Sequence, residues 1–291
     1  HTNRITMEIN EFVFQHFCGT SANPIGYGIL KYIEAQIESA KGVLKALIGT
    51  AVYDDIPDID FSDKGVIAAP DALSNAAYKF VCNLAFYEAI PQLDLTLSPT
   101  GFGVVSNQNV APASADRVDR LRRQISNQYD DAYDTILDCL RGDERWCNTD
   151  VAKRAFVMML WRGKEMAAFG IYMPHRSDLV AKQRSISRAV IDLQNLVGND
   201  FYFELVDAIR LAQISSIQRE AVTLCINYIA QACAAMDGDI SNALAKAKLR
   251  LLGFLDDNID DFQSYKESSA YEANHYQKYA NKKDDSCYFF G

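Results

Sequence analysis

From Ser114 to Leu140 the apolar residues Val118, Leu121, Ile125, Tyr129, Ala132, Ile136 and Leu140 recur at intervals of three and four. That spacing puts them on one stripe of an α-helix, and Ser114 is a residue type that caps helix N-termini. So long an amphipathic helix needs other apolar faces to cover it, and the rest of the chain supplies them in kind. Ile29–Gly49 places Ile33, Ile37, Ala40, Leu44 and Leu47 on one stripe and ends on Gly49, where a C-cap glycine belongs. Asp71–Ile90 begins after Pro70, stops at Pro91, and is apolar nearly all round, as a buried helix would be. Val151–Phe169, Leu179–Leu196, Asp200–Ile214, Ile217–Met236 and Ile240–Phe262 read as further helices. The pattern predicts a mainly α fold, a helical bundle.

Strand signals are few. GVIAA (Gly65–Ala69) and FGVVS (Phe102–Ser106) are short β-prone runs bounded by turn residues, expected to pair with each other. From Gln263 the chain turns polar and closes on the apolar tip CYFFG, a composition that predicts an extended tail without a core of its own. The expected organisation is an N-terminal helical half (1–96), a short β-hairpin-like bridge (97–113), a long helix plus C-terminal helical half (114–262) and the tail (263–291). Ile37–Ile56 also aligns without gaps on Ile186–Leu205, with Gly49 on Gly198 and Tyr53 on Tyr202. Two readings stand: two similar helical halves descended from a duplication, or two amphipathic helices matching through periodicity alone.

Charge and cysteine usage narrow the function classes. A net charge of −9 argues against a general nucleic-acid binder, because no basic excess exists to neutralise phosphates. Arg117, Arg120, Arg122 and Arg123 cluster near a helix start, but Asp116 and Asp119 stand among them, so they read as a solvated mixed-charge face. The seven cysteines form no CxxC pair, and Cys82, Cys139 and Cys225 fall within apolar helical patterns, where a thiol acts as a small hydrophobe. The expectation is a reduced protein, intracellular or part of a particle assembled inside a cell. No secretory leader is visible, and no apolar run approaches the length of a membrane span.

Motifs for chemistry fail on inspection or stay open. Gly101-Phe102-Gly103 lacks the third glycine of a dinucleotide fingerprint, since Ser106 stands there, and no Gly-Lys-Ser/Thr is present for a P-loop. His16, His175 and His275 have no metal-ligand spacing, Trp146 and Trp161 read as core or interface anchors, and no nucleophile elbow occurs. Asp-Asp-x-x-Asp occurs three times, at Asp54/Asp55/Asp58, Asp130/Asp131/Asp134 and Asp256/Asp257/Asp260. Carboxylates at i and i+4 share a helix face, and hard oxygens suit Mg²⁺. Isoprenoid synthases use two such motifs on a diphosphate, which makes a Mg²⁺-dependent helical enzyme the alternative reading. The first copy contains Pro57, and no Arg-Arg pair follows any copy as that family requires.

LSPTGFGVVSNQNVAPASADRVDRL (Leu97–Leu121) is the distinctive stretch. With the helices before it and the ending Tyr288-Phe289-Phe290-Gly291, it resembles a family of tailed phages and prophages of gut anaerobes, regarded as head–tail connector or neck components. The resemblance implies a virion structural protein and not an enzyme: a homo-oligomeric ring assembled in the host cytoplasm. It would contact a portal and other neck or tail proteins, meet DNA only in passage, and touch no membrane. No catalytic residue, cofactor or metal is carried over. β-prone edges and apolar tips suit contacts with neighbours, so Phe102, Val104, Val105, Tyr288, Phe289 and Phe290 are the expected interface residues.

Overall fold

In a computed structural model, residues 7–18, 28–59, 61–62, 65–66, 70–93, 95–98, 101–104, 114–238 and 242–276 are described. The fold is all but entirely helical, as the periodicity predicts. Helices α1 (Glu11–Phe17), α2 (Leu30–Ile48) and α3 (Thr50–Tyr53) precede α4 (Ala72–Leu93) and α5 (Ala115–Leu140). Then come α6 (Asp150–Phe156), a 3₁₀ helix (Gly163–Phe169), α7 (Arg176–Val197), α8 (Asn199–Arg210), α9 (Ser216–Met236) and α10 (Ala243–Asp257). A 3₁₀ turn (Ile259–Asp261), α11 (Gln263–Lys266) and α12 (Ser269–Asn274) follow.

The contacts divide the chain into two compact units, one of residues 1–183 with 208–213 and one of 184–207 with 214–291. In the first, α4 is the central element, and its buried residues lie on every side, from Ala76 and Tyr78 round to Phe86 and Ile90. The apolar stripe of α2 packs on α4, and so does α5. Phe14 of α1 meets Phe86 edge-on at 6.0 Å, while Tyr129 of α5 meets Phe80 at 6.2 Å and Tyr87 at 5.6 Å. Asn83, fully buried on α4, donates to the Phe17 and Lys79 carbonyls at 2.9 and 2.8 Å, so its polar head is satisfied. Pro91 lies inside the last turn of α4 and does not end it. Only the bond to the Tyr87 carbonyl is forfeited there, and near a helix end that loss is small.

Trp146, expected as an anchor, is buried and donates its indole N–H to the Leu47 carbonyl at 2.8 Å. The buried Arg210 guanidinium donates to the Cys147 carbonyl, and Arg141 Nε donates to the Ile209 carbonyl at 2.6 Å. Those two bonds tie residues 208–213 into the first unit.

The second unit is built on α9 and α10. Phe201 stacks edge-on to Phe262 at 5.3 Å and lies 5.8 Å from Tyr265, and Asn274 donates to the Leu196 carbonyl at 2.9 Å. The extended tail expected from Gln263 is therefore corrected over its first part. Residues 263–276 fold as α11 and α12, because Tyr265 finds a fully buried site among aromatic partners.

Other expectations are corrected too. Among the described residues the β-prone runs do not pair with each other; each closes a local antiparallel ladder, β1 (Phe61–Ser62) with β2 (Gly65–Val66) and β3 (Leu95–Ser98) with β4 (Gly101–Val104). A partner near in sequence costs less chain entropy to reach than a distant one. The long helix α5, expected to open the C-terminal half, belongs with α4 in the first unit. The Val151–Phe169 helix breaks after Phe156, where Met159 takes a φ of 66° and the chain turns to bury Met159, Leu160 and Trp161. The aligned glycines share one local geometry: Gly49 and Gly198 have φ of 79° and 89°, and each separates two helices.

The contrast between two tyrosines tests the fate of residues 263–276. Tyr265 is fully buried and Tyr276 is 76% exposed. Tyr265→Ala is expected to cost about 3–5 kcal/mol in denaturant unfolding, and Tyr276→Ala under about 0.5 kcal/mol. Equal effects would show that residues 263–276 do not pack as described.

Candidate functional site

The interface residues expected from sequence fall largely outside what the structure describes. The backbones of Phe102 and Val104 lie in β4, opposite Leu97 and Leu95. Val105, Tyr288, Phe289 and Phe290 lie outside the described residues.

A different constellation stands out on α5, and one of its members is an aspartate of the Asp-Asp-x-x-Asp motif. The Asp134 carboxylate accepts from the Gly163 backbone N–H at 2.6 Å and from the Arg176 guanidinium. The same Arg176 nitrogen donates to the Trp161 carbonyl at 2.8 Å, and the guanidinium lies 3.8 Å over the Tyr133 ring. One turn further along α5, Asp138 accepts from Arg162 at 3.1 Å. Arg162 also donates to Glu165 at 2.9 Å and covers the Trp161 ring at 4.0 Å. The other Glu165 oxygen accepts from the backbone N–H groups of Trp161 and Arg162, at 2.6 and 3.0 Å.

These bonds close a loop. At Gly163 a β-carbon would sit 2.4 Å from the Arg176 nitrogen and 2.4 Å from the His175 carbonyl carbon, so the two ends of segment 163–176 are in backbone contact. Only glycine permits that approach. The segment between the two ends, the 3₁₀ helix and the turn that follows it, is thus closed at its base and held to α5 by Asp134 and Asp138. Its tip, Gly170-Ile171-Tyr172-Met173-Pro174, carries Tyr172 at 90% and Met173 at 69% exposure. Met173 also takes a φ of 49°, a left-handed conformation that costs a non-glycine residue about 1 kcal/mol. The anchored base thus offers two large apolar side chains to solvent.

Burial raises the pKa of Asp134, and Arg176 and the Gly163 N–H oppose the shift. Burial pushes Asp130, on the same face, up to about 6, with Arg176 again opposing. His175 Nδ1 lies 3.6 Å from Asp131, and the His175 backbone N–H donates to Asp178 at 2.8 Å.

Four other aspartates of the motifs form ion pairs. Asp54 pairs with Lys45, Asp55 with Arg145, Asp256 with His275 at 3.2 Å and Asp260 with Lys266 at 3.1 Å. The clusters of the diphosphate reading lie in different units, with Asp130, Asp131 and Asp134 in the first and Asp256, Asp257 and Asp260 in the second. Among the described residues, no group of three or more His, Cys, Asp or Glu is placed to hold a metal ion. Also among them, no helix is long and apolar enough to cross a membrane.

Two substitutions test this description. Asp134→Ala leaves a half-buried guanidinium and the Gly163 N–H without their acceptor, and should cost about 2–4 kcal/mol in unfolding; a cost under about 0.5 kcal/mol would refute the clamp. Asp130 tests the electrostatics. Its folded pKa stands above the unfolded value of about 3.8, so its contribution is full below pH 4 and is lost as pH rises through 6. Asp130→Asn removes that loss. Solvent screening at this half-exposed carboxyl leaves an effect of roughly 1 kcal/mol, so the variant should melt about 2–4 °C higher at pH 7.5 and equal the parent near pH 4. A difference independent of pH would contradict the assignment.

Comparison with known proteins adds a family. The model of a family of unknown function, DUF6712, matches residues 44–155 and 230–275. No curated protein and no solved structure matches the chain. The matched segments take in Asp134 and Asp138 on α5 and stop short of the loop that they hold. With more than half of its residues matched, the chain belongs to DUF6712, a family of unknown function.

Proposed function

We propose that this chain is a structural subunit of a phage particle, a head–tail connector component that works through contacts with copies of itself and with neighbouring proteins. The observation that carries the reading is the clamped loop 163–176, with Tyr172 and Met173 held out to solvent. Exposing such side chains on a rigid support disfavours an isolated chain and favours a partner that covers them. The resemblance of Leu97–Leu121 to connector proteins of tailed phages supplies the particle. In that reading the chain forms a homo-oligomeric ring in the virion, assembled in the host cytoplasm, and meets a portal on one side and tail proteins on the other. Head-to-tail contacts close a ring when the rotation between copies divides the circle. No reaction, cofactor or metal is assigned. The diphosphate alternative has weaker support, because Asp134 is bound by Arg176 and Gly163 and the second aspartate cluster pairs with Lys266 and His275.

Native mass measured across protein concentration tests the proposal. The parent chain should grow from monomer to a closed oligomer, alone or on the portal of the same particle. Tyr172→Ser with Met173→Ser should raise the concentration needed by about tenfold or more without lowering the melting temperature. A parent that stays monomeric alone and with the portal would overturn the proposal.

A further inference from the structure

The basic cluster near the start of α5 does not lie wholly on a solvated face. Arg120 pairs with Asp116 at 2.7 Å, as expected of mixed charge. Arg122 and Arg123 instead line a groove of about 340 Å³ with Tyr87, Asp119 and Ser126. The Arg122 guanidinium lies 4.9 Å from the centre of the Tyr87 ring. Its Nε is shut off from solvent and has no hydrogen-bond partner among the described residues. Arg120, Arg141, Arg145, Arg162 and Arg176 are each ion-paired with a carboxylate. No such pair involves Arg122 or Arg123 among the described residues. Arg123 Nε only grazes the Asp119 carbonyl, at 3.5 Å.

We infer that this groove binds a phosphate-type anion, with Arg122 and Arg123 as its two cationic arms. The guanidinium plane presents paired N–H donors that match phosphoryl oxygens. Packing on Tyr87 fixes the Arg122 plane before a ligand arrives, which lowers the entropy cost of binding. Tyr87 and Ser126 line the same groove, and the Ser126 hydroxyl donates within the protein, to the Tyr129 hydroxyl at 3.5 Å. Asp119 opposes an anion and leaves one net positive charge among the described lining residues, so the site takes a phosphate group through direct hydrogen bonds and not through a broad basic field. A small phosphate-bearing molecule and the backbone of a nucleic acid present the same chemistry. This site is independent of the loop at 163–176 and of the connector reading.

The test is a titration of the full chain with inorganic pyrophosphate, read from the Nε–Hε resonances of Arg122 and Arg123. The predicted result is a saturable shift that weakens about tenfold in Arg122→Gln and in the exposed Arg123→Gln, and tightens in Asp119→Asn. All three variants should keep the parent's melting temperature; should Arg122→Gln unfold, Arg123→Gln and Asp119→Asn carry the test. Absence of saturation, or binding unchanged by the two stable variants, overturns the inference. Short duplex DNA that shifts the same resonances, and loses that effect in Arg123→Gln, identifies a nucleic-acid backbone as the phosphate source. Response to pyrophosphate alone identifies a small phosphate-bearing ligand.

Discussion

A carboxylate taken out of water must recover its hydrogen bonds inside the protein, and Asp134 does so with groups from both ends of one loop. Gly163 supplies a backbone N–H and Arg176 a guanidinium. The contact between the Gly163 and His175–Arg176 backbones allows a single side chain to reach both. Remove the carboxylate, and the Gly163 N–H loses its acceptor while the guanidinium is left with the Trp161 carbonyl. The loop would then be left with Arg162, Glu165 and Asp138 at its first turn and, at its far end, with the Arg176 contacts to the Trp161 carbonyl and the Tyr133 ring.

The helical scaffold gives this clamp its precision. Asp134 and Asp138 are one turn apart on α5, and α5 is held along its length by aromatic contacts to α4, with Phe80 reaching both Tyr129 and Tyr133. Tyr133 lies under the Arg176 guanidinium, so the residue that packs the helix also seats the loop's far end. The same α4–α5 pair carries the groove at Tyr87 and Arg122, nearer the start of α5. Helix packing, loop and groove thus draw on one rigid pair of elements.

Local patterns in the sequence made the helices legible, and distant contacts hid the site. The apolar stripes of α2 and α5 stand largely where their spacing of three and four puts them, since both pack on α4. The break after Phe156 carries no proline or glycine signal; it arises because Met159, Leu160 and Trp161 all find buried places that a continuous helix could not reach. Asp134 drew notice through its Asp-Asp-x-x-Asp pattern, a reading aimed at a metal, whereas its partners lie 29 and 42 residues further on. Gly163 looks ordinary in sequence, because what demands glycine there is a backbone from a different segment. The apolar pair Tyr172-Met173 ahead of Pro174 was the available signal for an exposed tip. Arg122 and Arg123 read in sequence as charge, and only the fold shows that among the described residues Arg120 pairs with a carboxylate while Arg122 and Arg123 line a groove.

In the proposed reading, a loop rigid at its base presents a tip that a partner covers. Hydrogen exchange resolved along segment 162–176, in the free chain and in its assembled form, bears on both halves at once. The account predicts slow exchange at Gly163 in both states and, at residues 171–173, exchange that is fast in the free chain and slow after assembly. A tip that stays unprotected in the assembly, or a Gly163 amide that exchanges as fast as the tip, would contradict it.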